Sequence, residues 1–201
     1  MLDAAFDPNR SFKGDLTPGG DDQLLLTVWA SARDDYAPMY SLAIAYRCVP
    51  TETRGQRRCG YTARLLRTGL MDNEGFGRSL ELSGQARIAT SASEMRSQLD
   101  KASLQWLEAD VDACPKGIFA MDSVRVSDWR PDIHFGLQDT KDREIIMHPA
   151  AIRVRMSGTY ATSAYEGWVL AAGVPAAVRQ LLETLEPCWK PATAPRPWTR
   201  R

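Results

Sequence analysis

The sequence predicts an α+β fold, an antiparallel sheet with two main helices packed on one face and a C-terminal helix closing the domain. Three observations carry this. Several segments alternate apolar and polar residues with the period of a half-buried strand, two segments carry an apolar stripe at helical spacing, and turn formers separate them. At 201 residues the chain is long enough for one well-buried core and does not demand two. We therefore expect an N-terminal arm or linker over 1–22, a single domain over 23–189, and a Pro/Arg-rich tail over 190–201.

Residues 1–22 are polar and turn-rich, with Asp7-Pro8-Asn9 and Pro18-Gly19-Gly20-Asp21-Asp22. Gln23–Ala30 mixes leucines with Thr27, Val28 and Trp29 between turn formers, which reads as a short buried strand, with helix as the alternative. From Met39 to Cys48, Tyr40, Leu42, Ile44, Tyr46 and Cys48 alternate. After Cys59, Tyr61, Ala63 and Leu65 do the same. These two segments make a hairpin whose loop tip lies between Cys48 and Cys59.

Gly69–Gly77 reads as a loop, and Leu80, Leu82, Ala86 and Ile88 recover the strand period. A helix is expected from about Ser91 to Glu108, with Met95, Leu99, Ala102 and Trp106 on one stripe and Ser91 or Ser93 as cap. Cys114-Pro115-Lys116-Gly117 is a turn. Ile118 to Val124 is ambiguous. Ile133, Phe135 and Leu137 alternate, as do Ile152, Val154 and Met156, and a Ser157-Gly158 turn leads to a return strand over Tyr165–Leu170. The final helix is expected over Val174–Trp189, with Pro175 in its first turn and Val174, Val178, Leu181 and Leu185 on one face. Prolines in the tail forbid helix or central strand.

Composition excludes several classes. Lys and Arg balance Asp and Glu at 25 each, so no global field draws the chain to nucleic acid or a membrane surface, and no apolar run approaches a bilayer span. Residues 1–20 hold Asp3, Asp7, Asp15 and a Pro-Gly-Gly turn where a signal would be apolar. That leaves a cytosolic protein, or an exported one whose signal lies outside this sequence. The cysteines favour the second. Cys48 and Cys59 flank a loop tip, which suits a disulfide, and Cys114 and Cys188 remain as a second possible pair. No Cys-x-x-Cys occurs and the only histidines are His134 and His148, so no metal or cofactor is expected.

Catalytic patterns are scarce. There is no Gly-x-Ser-x-Gly elbow, Ser-x-x-Lys, P-loop or His-Glu-x-x-His, and Gly75-Phe76-Gly77-Arg78 lacks the third glycine of a dinucleotide site. His134 near Asp132 is the one conceivable acid–base dyad. Asp34-Asp35 and Asp110-x-Asp112 lack the spacing of a calcium loop. A local arginine excess is more informative. Arg47, Arg54, Arg57, Arg58, Arg64 and Arg67 gather on the first hairpin with only Glu52 opposing them, and Arg153 and Arg155 share a polar strand face near His134 or Glu166. Guanidinium forks suit carboxylate or phosphate, so Arg54, Arg57, Arg58, Arg64, Arg153 and Arg155 are the candidate binding residues.

The expectation is an exported protein, periplasmic or secreted, that is a non-catalytic binder of the inhibitor or immunity kind and neutralises a protein partner, with no nucleic acid. The alternatives are a small hydrolase using His134 with Asp132, and a structural subunit of a cell-envelope assembly docking through its proline tail.

Overall fold

The computed structural model describes residues 2–17, 21–32, 37–51, 56–69, 73–130, 150–158 and 161–199. Among the described residues seven strands form one sheet: β1 (Gln23–Ala32), β2 (Ala37–Pro50), β3 (Arg57–Arg67), β4 (Gln105–Asp110), β5 (Ala151–Ser157), β6 (Thr162–Trp168) and β7 (Lys190–Pro191). Their order is β6-β5-β1-β2-β3-β4-β7, and every neighbouring pair is antiparallel. The helices are α1 (Leu2–Ala5), α2 (Asn73–Ile88), α3 (Ala92–Lys101), α4 (Gly117–Val126) and α5 (Val174–Leu185). The class is α+β, with α5 as the C-terminal helix.

Strand periodicity sorts the side chains onto two faces. Leu26, Val28, Leu42, Ile44, Leu65, Ile152 and Val154 meet Met121 and Val124 of α4 and Val178, Leu181 and Leu185 of α5 in the larger core. Trp29, Leu66 and Trp106 belong to a second core with Phe6, Leu82 of α2, Met95 and Leu99 of α3, and Trp198. Helices thus cover both faces. The second helix on the face of α5 is α4, while α3 lies on the opposite one.

Two local expectations change, and one segment left open takes a definite form. Leu80–Ile88, read as a strand, is the second half of α2, which begins at Asn73 inside the expected loop. Its buried stripe is Ser79, Leu82 and Ser83, with Ser79 Oγ donating to the carbonyls of Ala37 and Pro38 at 2.7 and 3.0 Å. Two serines on the inner face hide a helical period from a hydrophobicity reading, and Ile88, counted as apolar, is 70% exposed. The helix expected to reach Glu108 stops at Lys101, because Gln105–Asp110 pairs with β3, placing Trp106 opposite Leu66 and Leu107 opposite Leu65. Its start is as expected: Ser91 Oγ accepts the Glu94 N–H at 3.1 Å, and the Glu94 carboxylate accepts the Thr90 N–H at 2.8 Å. The ambiguous Ile118–Val124 is helical, burying Ala120, Met121 and Val124.

The last helix ends at Leu185 and tightens into a 3-10 turn over Glu186–Cys188, since Pro187 supplies no N–H to continue the ladder. The ends of the chain pack onto the sheet. Leu2, Ala5, Phe6 and Phe12 are buried, β7 extends the sheet with Pro191 on the edge, and Trp198 is 5% exposed with its Nε1–H on Asp100 Oδ1 at 3.0 Å. Both expected disulfides form, Cys48–Cys59 and Cys114–Cys188.

Candidate functional site

The β2–β3 hairpin outruns its neighbours. β1 begins pairing with β2 only at Tyr46, and β4 ends on β3 at Thr62, so among the described residues Arg47–Pro50 and Arg57–Gly60 have only each other as sheet partners. Four residues of strand project by about 14 Å. Free two-stranded ribbons are marginal in water, and here covalent chemistry compensates. Cys48 and Cys59 stand directly opposite in the register and are joined. The Thr51 N–H closes a further rung on the Gln56 carbonyl at 3.0 Å. Asp22 buttresses the root, accepting the N–H of Cys48 at 2.8 Å and of Thr17 at 2.9 Å, and these two donors hold its carboxyl below the usual range.

Two candidate arginines sit on this finger. Arg57 lies along the ribbon, donating from Nη2 to the Cys48 carbonyl at 2.8 Å. Arg58 leans back to Asp110 at 3.0 Å, yet its side chain is 70% exposed. Asp112 also reaches the root, where it accepts the Tyr61 N–H at 2.5 Å. The lobe that looked uniformly basic is therefore dipolar, with arginines on the finger above a collar of Asp22, Asp110 and Asp112. Nothing in the local sequence announces that collar, because β3–β4 pairing carries two of its members in from fifty residues away.

Arg64 turns inward. Its side chain is 4% exposed, pairs with Asp15 and with Glu108 at 2.6 Å, donates to the Ser11 carbonyl at 2.7 Å and lies 4.3 Å above the Phe12 ring. It fastens the N-terminal segment to the sheet and does not face a partner. Arg54 lies outside the described residues, as do His134, Asp132 and His148.

Arg153 and Arg155 come together on the face of β5 opposite α4 and α5, in a cleft of about 560 Å³. Arg153 stacks over Trp29 at 4.9 Å and donates to Glu166 at 3.0 Å, its register partner on β6. Asp3 and Asp7 also line it. The expected neighbour Glu166 is in place. Trp29, expected within a buried strand, also forms the floor under Arg153, which only the β1–β5 register reveals.

Among the described residues no three His, Cys, Asp or Glu side chains are placed to hold a metal ion, and all four cysteines are in disulfides, so none offers a thiolate. No described helix is long and apolar enough to cross a membrane. No family model, curated protein or solved structure matches the chain. Two disulfides point to an oxidising compartment.

Proposed function

We propose that this is an exported, periplasmic or secreted, non-catalytic protein that inhibits or neutralises a partner protein by presenting its β2–β3 finger to an acidic cleft. The observation that supports this reading is the projecting ribbon fastened by a cross-strand disulfide with Arg57 and Arg58 on it. A loop held in one shape before contact loses little entropy on binding, and guanidinium groups are favoured anchors at interfaces. Val49, 42% exposed beside the disulfide, supplies an apolar contact. The aspartate collar opposes an acidic partner at the root and so favours insertion of the tip over lateral docking.

The proline tail, which a subunit of an assembly would offer to its neighbours, is engaged within the chain through β7 and Trp198.

The test is photo-crosslinking from position 49 in cell-envelope extract, followed by affinity measurement on the captured protein. Reversing both charges, Arg57→Glu with Arg58→Glu, is expected to weaken binding at least about tenfold and to flatten its dependence on salt. An affinity unchanged by the double reversal would sink the proposal.

A further inference from the structure

Eight residues along β2 from the disulfide, about 27 Å away, Tyr40 sits at the opposite end of the sheet. It is 1% exposed, and among the described residues its hydroxyl has no hydrogen-bond partner. A buried phenol is normally satisfied, so an orphaned one asks for an explanation. The ring lines a cleft of about 390 Å³ between α5 and the β2–β3 ladder, with Leu65 and Leu182 as apolar walls and two arginines, Arg67 and Arg179, among its lining.

The two arginines differ. Arg67 is neutralised, with Nη1 and Nη2 donating to both carboxylate oxygens of Glu186 at 2.8 Å each and Nε donating to Gln105 at 2.6 Å. Arg179 is anchored through Nη1 alone, to the Val169 carbonyl at 2.6 Å and more weakly to that of Ala171 at 3.5 Å. Its Nε and Nη2 make no hydrogen bond among the described residues. The anchor holds Arg179 as a preset cation in the lining of the cleft. Burial drives the Tyr40 phenol far above its ordinary range while nearby Arg179 pulls the other way, so the hydroxyl remains a protonated donor in the field of that cation. Of the two glutamates, Glu186 is neutralised by Arg67, and Glu183 is exposed, where water screens it.

A neutral O–H donor and unused guanidinium donors beside aliphatic walls are the complement of a carboxylate carried on an apolar body. We propose that this cleft binds a small monocarboxylic acid, whose carboxylate accepts from the Tyr40 hydroxyl and Arg179 while its apolar part packs on Leu65 and Leu182. The site is separate from the finger and does not depend on the finger's role.

Benzoate is a suitable probe, with benzamide and benzylamine as its neutral and cationic counterparts, titrated into the isotope-labelled full chain and followed by amide chemical shifts. Benzoate is expected to shift resonances around Tyr40, Arg179 and Leu182 and to bind at least about tenfold more tightly than either counterpart. Tyr40→Phe and Arg179→Gln should each weaken benzoate about tenfold. Without ligand, Tyr40→Phe should melt no lower than wild type, since it removes only an unpaired group. The proposal is overturned if benzoate shifts nothing up to its solubility limit, if benzamide binds as well, if Tyr40→Phe keeps wild-type affinity, or if that variant is destabilised without ligand.

Discussion

Gly173 precedes α5 with φ 66° and ψ −129°, a conformation open in practice only to glycine, and an added Cβ would lie 2.8 Å from the Asp128 carbonyl oxygen. Both the backbone and the space forbid a side chain. Gly173→Ala is expected to cost about 2 kcal/mol in urea unfolding, and a loss below about 0.5 kcal/mol would show that the junction relaxes freely. Arg64 teaches a different lesson at the same scale. By type and neighbours it resembled Arg57 and Arg58, and it shares strand parity with Arg58, but it lies six residues further along β3, inside the sheet, where Phe12 and Asp15 cover that face. A residue's chemistry was legible in sequence. Its direction was legible only once the strand's register and the packing of residues 2–17 were known.

Among the elements, α5 joins the sheet at its C-terminal end through the bidentate pair of Glu186 with Arg67. Those hydrogen bonds hold the Glu186 carboxyl below the usual range, against a smaller opposing effect of burial. A depressed carboxyl stabilises the fold fully above its ordinary pKa, near 4.5, and loses that contribution as pH falls through the lower folded value. Wild type should therefore lose stability below about pH 4.5 more steeply than Glu186→Gln, in chemical denaturation repeated from pH 7 to 3. The Glu186 side chain is 44% exposed, so the difference is expected at under about 1 kcal/mol. Identical pH profiles would show the pair contributes nothing. The elements also show where periodicity succeeds. Strands β2, β3 and β5 and helix α5 have apolar residues on their inner faces, and alternation or helical spacing found them, while β1 was found from leucines and strand formers set between turn formers. Helix α2 buries serines, and β4 follows α3 after a short Ala102–Leu104 link, so both were misread.

At the scale of the whole molecule, the two disulfides do unequal work. Cys114–Cys188 closes a 74-residue separation and ties the turn before α4 to the end of α5, while Cys48–Cys59 spans 11 residues and stiffens the finger. In the chain-entropy model the long bridge contributes about 4 kcal/mol and the short one about 3. Replacing Cys114 and Cys188 together by alanine should lower stability more than replacing Cys48 and Cys59, both measured by urea unfolding. The short-bridge variant should instead lose more partner affinity for its loss of stability. If the two variants reverse that order, loop closure is not what the long bridge supplies.

The amino-acid sequence alone settled an α+β class, the hairpin, the closing amphipathic helix and a pairing of four cysteines. Each depends on residues near one another in sequence, or on a small set whose combinations are few. Only tertiary structure decided that helices cover both faces, that Arg64 is internal, that three aspartates ring the root of the finger, and that Tyr40 and Arg179 face one cleft. Those facts depend on register and on contacts between residues tens of positions apart, which no local pattern encodes.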